Sequence, residues 1–156
     1  VKLILIEFKV KVTNLKLLAT SEKDLRVIAA HLQDSIVLSK DIANLKKNRI
    51  FLIQLNRFMW EDVEKGVFRK NKRIRTVLKF DNVISVLSKN INVKNYEQFL
   101  DFLTIESTIR SDKSYEIKLI FSGGAIIKIS AEVIDVTLDD QGSPWESKTA
   151  PKHNFL

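Results

Sequence analysis

The chain has 156 residues, of which 45% are hydrophobic and 29% are charged, and its formal net charge is +7. This size and composition predict one globular domain with an apolar core rather than a disordered or repetitive chain. The sequence contains no cysteine, which excludes disulfide scaffolds, thiolate metal sites and cysteine nucleophiles. A cysteine-free chain fits a reducing compartment, so we expect a cytoplasmic protein.

Residues 1–14 form an N-terminal extension that begins "VKLILIEFKVKVT". Its apolar run is short and is interrupted by lysine and glutamate, so we do not expect it to span a bilayer or to act as a leader. Alternate positions are consistently apolar, namely Ile4, Ile6, Phe8 and Val10. This alternation predicts an extra strand.

The clearest helical pattern follows. Ser21 precedes Asp24 in the spacing of a capping box, and apolar residues then recur at intervals of three and four. These residues are Leu25, Ile28, Ala29 and Leu32. The pattern predicts a helix from about Glu22 to Gln33.

Two-residue periodicity dominates the rest of the chain and predicts seven strands. They are Ile36 to Leu38, Arg49 to Trp60, Ile74 to Phe80, Val83 to Leu87, Leu103 to Ile109, Tyr115 to Phe121 and Ala125 to Leu138. The links are short, which favours antiparallel neighbours. A short helical turn, capped by Asn95, is expected between Val93 and Asp101.

We therefore predict an α+β fold in which a curled, mostly antiparallel sheet of about seven strands forms a barrel or roll. Residues 15–140 are expected to form this single domain, and residues 141–156 a C-terminal tail. Trp145 lies in that tail, and a tryptophan is costly to leave in water. It is expected to pack on its own domain or, alternatively, to anchor a partner.

The predicted second strand breaks its own alternation. Phe51, Ile53 and Leu55 share one face, but Arg57 takes the next position on that face while Phe58 and Trp60 fall on the other. A bulge at Asn56-Arg57 would turn the arginine outward and return both aromatic residues to the core. The alternative is a deliberately buried Arg57, which needs a carboxylate or ligand partner. We favour the bulge, and expect a similar register change at Val133-Ile134.

Four segments, taken in order, resemble one known family. They are "LKLLATSEKDLRVIAAHLQDSIV", "LNRFMWED", "IRTVLKFDNVISVLSKNI" and "FSGGAIIKISAEVIDVTLDDQGSPW". They resemble an uncharacterised alphaproteobacterial family, domain of unknown function 2948, over about residues 15–153. The resemblance implies a small bacterial protein, expected in the cytoplasm, with no assigned activity and no catalytic residues to transfer.

The familiar catalytic and cofactor motifs are missing from the sequence. His31 and His153 stand far apart and outside any ligand-spaced cluster, so we expect no metal site. Gly123-Gly124 is typical of a hairpin turn, and four glycines cannot supply the usual nucleotide-binding loops. The acidic pairs Glu61-Asp62 and Asp139-Asp140 are expected to solvate strand ends. We expect no cofactor, and the sequence leans against an enzyme.

Basic residues concentrate in one loop and the strand after it. If Ile74, Thr76 and Leu78 face the core, the alternate positions form an outward basic stripe. We define this basic stripe as Arg69, Lys70, Lys72, Arg73, Arg75 and Lys79. Such a stripe would attract an anionic partner, either an acidic protein or, weakly, a nucleic acid. It is also typical of a solvated surface that protects a sheet.

Three functional interpretations remain at this point. The preferred one is a small non-enzymatic binding or scaffold module that presents Arg57, Trp60 and the basic stripe to a partner. The second is a nucleic-acid-binding protein that uses the same stripe, although its outward positions carry no aromatic residue for base stacking. The third is an enzyme of an unrecognised kind, which a deep pocket with convergent carboxylates would favour.

Overall fold

The computed structural model describes residues 14–61, 71–92 and 97–147 of the chain. The helix α1 spans Glu22–Leu32. The strands are β1 Lys16–Ala19, β2 Ile36–Leu38, β3 Ile42–Leu45, β4 Ile50–Phe58, β5 Lys72–Phe80, β6 Val83–Lys89, β7 Phe99–Ile109, β8 Tyr115–Phe121, β9 Ile126–Ala131 and β10 Val136–Glu146. One helix with a mostly antiparallel sheet confirms the predicted α+β fold class.

The first turn of α1 is fixed by its capping residues. The Ser21 hydroxyl accepts a hydrogen bond from the Asp24 amide at 3.1 Å, and the Asp24 carboxylate accepts one from the Thr20 amide at 3.0 Å. The hydrogen bond from Thr20, followed by that from Ser21, lowers the pKa of Asp24. Leu25, Ile28, Ala29 and Leu32 are buried. The predicted helix is thus confirmed, although it ends one residue early.

The strands form one sheet with the order β1-β10-β5-β4-β2-β7-β8-β9-β6, and β3 pairs beside β2 on β4. Every pairing among the described strands is antiparallel. The two halves of the sheet meet where β2 pairs with both β4 and β7. The sheet curls around its core but is not closed.

The core lies on the inner face of this curled sheet and beneath α1. Alternate residues of β4, β8 and β9 are buried there, as a strand with one covered face requires. Phe51 contacts Phe80 with ring centroids 5.9 Å apart, and Phe102 contacts Phe121 at 5.8 Å. These aromatic pairs link strands that are distant in the sequence.

Two predicted connections differ in the structure. The short link Asp81-Asn82 joins β5 to β6, but these strands are not neighbours. The expected continuous strand from Ala125 to Leu138 is also wrong, because it divides into β9 and β10, which lie in different parts of the sheet. The link between β5 and β6 lies against the link between β9 and β10. The Asp81 amide donates to the Asp135 carbonyl, and the Glu132 amide donates to the Asn82 carbonyl. These bonds satisfy the backbone of both links without a hairpin.

Other boundaries shift as well. Strands β1 and β3 are short and had not been predicted. Strand β10 continues to Glu146, past the expected domain boundary at residue 140, and pairs Trp145 with Arg73. Residues 93–96 of the expected helical turn lie outside the described ranges, and Phe99 to Asp101 already belong to β7. The predicted N-terminal strand, up to residue 13, also lies outside them.

Candidate functional site

Arg57 is completely buried, and the predicted bulge is wrong. The pairing of β4 with β5 runs without a register shift from Phe51 opposite Phe80 to Phe58 opposite Arg73. Regular alternation therefore places Arg57 on the same face as Phe51, Ile53 and Leu55, with 0% of its surface exposed. The alternative interpretation, an arginine buried with carboxylate partners, is the correct one.

Two carboxylates surround the Arg57 guanidinium. Its Nε and Nη2 donate to the two oxygens of Asp140 at 2.8 and 2.6 Å. Its Nη1 and Nη2 donate to the two oxygens of Glu61 at 3.0 and 2.9 Å. Burial alone would lower the pKa of Arg57, but the hydrogen bonds to Asp140 and Glu61 raise it above its ordinary value. Arg57 is therefore a fixed cation.

This cluster, which we call the buried ion cluster (Arg57, Glu61 and Asp140), joins distant parts of the chain. The Asp140 carboxylate also accepts a hydrogen bond from the Leu15 amide at 2.8 Å. It therefore connects the start of the described chain, β4 and β10. Because the arginine donors are engaged with carboxylates and the side chain is inaccessible, Arg57 cannot present itself to a partner. The prediction that Arg57 belongs to a binding face was therefore wrong.

Each of the two acidic pairs in the sequence contributes one carboxylate to this cluster. Glu61 and Asp140 each come from an acidic pair that was expected to solvate a strand end, but both contribute to the buried ion cluster. The sequence feature that could have predicted this cluster is an arginine at a core position of β4, together with acidic pairs elsewhere in the chain. Within the described residues, no group of three or more histidines, cysteines, aspartates or glutamates is arranged to hold a metal ion.

Trp60 is only partly buried, whereas the bulge had predicted full burial. Its indole nitrogen donates to the Gln33 carbonyl at 2.8 Å, which ties the end of β4 to the end of α1. Its ring meets Phe58 edge to face, with centroids 4.7 Å apart. Phe58 itself is 1% exposed. Trp60 therefore packs over Phe58 and also lines a surface cavity of about 400 Å³ beside α1.

The basic stripe is not a continuous exposed surface. Arg73 is buried, and its Nη1 donates to the carbonyls of Asp34 and Asn56 at 3.1 and 3.0 Å. Burial lowers the pKa of Arg73, against the opposing effect of Asp101 and Asp34. Its guanidinium also lies 5.7 Å from the centre of the Phe58 ring. The prediction that Arg73 is exposed was wrong.

The other members of the basic stripe are more accessible. Arg75 lies 3.4 Å from the Asp41 carboxylate, and Lys79 lies 3.5 Å from that of Asp81. Lys72 is partly exposed. Arg69 and Lys70 lie outside the described residues. Among the described members of the stripe, Arg75 and Lys79 are thus each paired with an aspartate. This pairing weakens the combined electric field of the stripe.

A groove lies where the curled sheet does not close. We call the space between β3 and β6 the seam groove. At one end, the Val83 amide donates to the Arg49 carbonyl at 2.9 Å. Two cavities of about 350 and 580 Å³ lie along it and share Asn44 and Val86 in their walls. The groove is thus continuous across both cavities.

The seam groove has an apolar floor and a basic rim. Ile42, Phe51, Val86 and Ile127 line the smaller cavity together with Lys40. Lys46, Arg49 and Glu132 line the larger one. Arg49 and Glu132 pair with each other at 2.7 Å, while Lys40 and Lys46 form no ion pair within the described residues. The rim therefore presents two lysines without carboxylate partners.

No residue of the seam groove belonged to the predicted binding face. No local pattern predicted the groove, because β3 was not predicted and β6 pairs with β9, a strand much further along the chain. The exposed apolar positions Ile84 and Leu87 of β6 were a weak indication. An edge strand of a sheet is the place where such residues remain uncovered.

Comparison with known proteins identifies the family. Comparisons with curated proteins and with solved structures found no match. No helix in the described ranges is long and apolar enough to cross a membrane. The family model described as "Protein of unknown function (DUF2948)" matches residues 15–153, which is most of the chain. The chain therefore belongs to the DUF2948 family.

Proposed function

We propose that this protein is a small, non-enzymatic binding module that takes an anionic partner into the seam groove. The observation that carries the proposal is the apolar floor of that groove beneath Lys40 and Lys46, two lysines that form no ion pair with any described residue. Concave sites with apolar walls and a few placed polar groups are typical of ligand binding. The positive rim favours a partner that carries negative charge.

The chemistry of the groove supports binding rather than catalysis. Its lining offers the hydroxyls of Ser39, Ser85 and Ser88, but no histidine. Its one carboxylate, Glu132, is paired with Arg49. A serine nucleophile needs a base within hydrogen-bond reach, and the lining holds neither a histidine nor a carboxylate that is free of a cation. The buried ion cluster lies outside this lining.

An acidic polypeptide suits the groove better than a nucleic acid. Single-stranded nucleic acids require exposed aromatic rings on which bases stack. The aromatic residue of the groove, Phe51, is 1% exposed and forms part of the floor. Ile84, in the wall of the larger cavity, exposes 54% of its surface, and Leu87 on the same strand exposes 64%. These aliphatic residues favour the apolar side chains of a polypeptide.

We further propose a bacterial, cytoplasmic setting. The absence of cysteine supports a reducing compartment, and the family resemblance supports a bacterial source. The basic stripe enters this proposal as an accessory: Arg75 and Lys79 would add long-range attraction to an anionic partner.

Site-specific crosslinking tests the proposal. A photo-reactive benzoylphenylalanine placed at Ser88, in the groove, is compared with one at Ser111, an exposed position in the link between β7 and β8. After irradiation in bacterial cells, we expect adducts at Ser88 and not at Ser111. The adducts should resist nuclease, be degraded by protease, and contain acidic polypeptide.

The same experiment distinguishes the alternatives. Charge reversal of both rim lysines, Lys40→Glu with Lys46→Glu, should strongly reduce the Ser88 adducts because it removes the attraction for an anion. Equal adduct formation at Ser88 and Ser111 would reject the groove as the binding site. Adducts that nuclease removes would instead support the nucleic-acid interpretation.

A further inference from the structure

We infer that the seam groove binds an extended acidic segment of another protein by strand addition, in which the segment pairs with the free edge of β6. This inference rests on the proposed function and names both the partner and its mode of binding. In strand addition, main-chain hydrogen bonds provide affinity, and pockets for alternate side chains provide specificity.

The first support is the unpaired edge of β6. Within the described ranges, β6 pairs with β9 on one side and ends the sheet on the other. Every second residue of an antiparallel edge strand directs its amide and carbonyl away from its partner strand. One of these outward amides, that of Val83, already donates to the Arg49 carbonyl. Beyond Val83, the β6 residues Ser85, Val86 and Ser88 line the groove.

The second support is the limited edge protection of β6, which is confined to its start. Exposed edges are usually kept short or carry charges that prevent pairing. The opposite end of the sheet follows this rule, because β1 has four residues and begins with Lys16. Strand β6 has seven residues, and its pairing shifts register between Val83 and Ser85. Its regularly paired part, Ser85 to Lys89, has its charged residue at the far end and exposes Leu87. This part spans about 17 Å, enough to pair with about five residues.

The third support is the position of the apolar floor. Side chains of an added strand point alternately to the two faces of a sheet. Those that point inward would enter the cavity of about 350 Å³, whose walls include Ile42, Phe51 and Ile127. The groove therefore combines an edge that can bind a backbone with a pocket that can bind alternate apolar side chains. The two elements together fit an extended polypeptide.

Charge decides which polypeptide fits. The rim residues Lys40 and Lys46 repel a cationic segment and attract carboxylates. A second copy of this chain carries a net charge of +7, so edge pairing between two copies would bring like charges together. The segment at residues 1–13 contains three lysines and one glutamate and is equally mismatched. The occupant we infer is thus a foreign segment with acidic and aliphatic residues in alternation.

A designed peptide tests this mode directly. The probe is a fluorescein-labelled heptapeptide of alternating glutamate and valine, and its binding to the full chain is followed by fluorescence anisotropy. Two matched peptides carry N-methyl groups on all valine amides or on all glutamate amides, so that each lacks the hydrogen-bond donors of one edge. We expect at least one of them to bind about tenfold to a hundredfold more weakly, because two or three hydrogen bonds are lost.

The charge of the occupant is tested with a protein variant. The double substitution Lys40→Glu with Lys46→Glu should weaken binding of the glutamate-valine peptide by about tenfold or more. It should strengthen binding of a lysine-valine peptide. The control is Lys23→Glu with Lys113→Glu, two exposed positions outside the groove that change the net charge equally. This control should bind the acidic peptide almost as tightly as the original protein.

Amide hydrogen exchange, measured by nuclear magnetic resonance, locates the pairing. On addition of the acidic peptide, amides of β6 should exchange more slowly while those of β1 remain unchanged. If the peptide binds but both methylated peptides bind equally well and β6 gains no protection, strand addition is wrong while binding in the groove stands. If the unmodified peptide does not bind, the inference is overturned, and the Ser88 adducts alone then decide the proposed function.

Discussion

Two arginine–carboxylate pairs, one near each end of β4, have almost the same length but different surroundings. Arg57 lies 2.6 Å from Asp140, and both side chains are 0% exposed. Arg49 lies 2.7 Å from Glu132 beside the seam groove, where 46% and 55% of the two side chains are exposed. Distance therefore does not decide what an ion pair contributes. Burial does, because water screens the exposed pair and offers its members other partners.

The two pairs lie in different parts of the fold: Arg57 in a closed part, where polar groups satisfy one another, and Arg49 in an open part beside the seam groove. Around Arg57, guanidinium donors, carboxylates and the Leu15 amide satisfy one another. Along the seam groove, two lysines and one edge of β6 lack such partners in the described residues. The buried charges belong to the stability of the protein, and the exposed ones to its proposed binding. If this division is right, substitutions of buried charges should lower the free energy of unfolding far more than substitutions of exposed ones.

Removal of Arg57 should have the largest effect on stability. Arg57→Ala leaves the buried Asp140 carboxylate without its cation, so the free energy of unfolding should fall by about 3–5 kcal/mol. Urea denaturation followed by circular dichroism would measure the loss. Arg49→Ala is the matched control, and it should cost about 1 kcal/mol or less because its pair is exposed. Equal losses in the two variants would contradict the division.

The aromatic pair beside the buried ion cluster should show a similar gradation. Phe58→Ala removes a buried ring and should lower the free energy of unfolding by about 3–5 kcal/mol. Trp60→Ala removes a partly exposed ring, its edge contact and one hydrogen bond, which together contribute about 1–3 kcal/mol. Chemical denaturation of both variants provides the comparison. A greater loss in Trp60→Ala than in Phe58→Ala would show that Trp60 belongs to the core.

Arg73 and Arg75, neighbours on one face of β5, should respond differently to charge reversal. Arg73→Glu removes two hydrogen bonds to carbonyls and places a carboxylate in a buried site near Asp34 and Asp101. It should lower the free energy of unfolding by about 3 kcal/mol or more. Arg75→Glu, at an exposed position, should cost about 1 kcal/mol or less. Thermal unfolding would rank them, and equal melting temperatures would contradict the burial of Arg73.

The sequence predicted which residues of β5 share a face, but it could not show what covers that face. Alternation placed Arg73, Arg75 and Lys79 together, and they do lie on one side of the strand. Arg73 donates hydrogen bonds to the carbonyls of Asp34 and Asn56, which come from other segments of the chain. Local periodicity contains no information about such distant partners. The predicted exposed stripe failed for this reason.

The same limit explains Arg57 and the seam groove. A bulge was favoured because an unpaired buried charge is costly, yet its partner Asp140 lies 83 residues away in the sequence. The helix was predictable because its cap and apolar stripe are local. The groove was not, because it depends on where β3 and β6 stand after ten strands have paired. Composition and periodicity thus predicted the fold class and most strands, but not the site.

The smallest effect on stability is expected at the open edge. Leu87→Lys places a charge on a side chain that is 64% exposed, so the free energy of unfolding should change by less than about 0.5 kcal/mol. A lysine on an edge strand nevertheless opposes pairing with another chain. High salt screens the like net charges that oppose pairing between two copies. At high protein concentration and high salt, we therefore expect less self-association in this variant, measured by light scattering. Val27→Lys, on the exposed face of α1, removes a comparable apolar surface away from any sheet edge and should leave association unchanged. If both variants reduce association equally, general surface hydrophobicity is responsible and the edge of β6 has no special role.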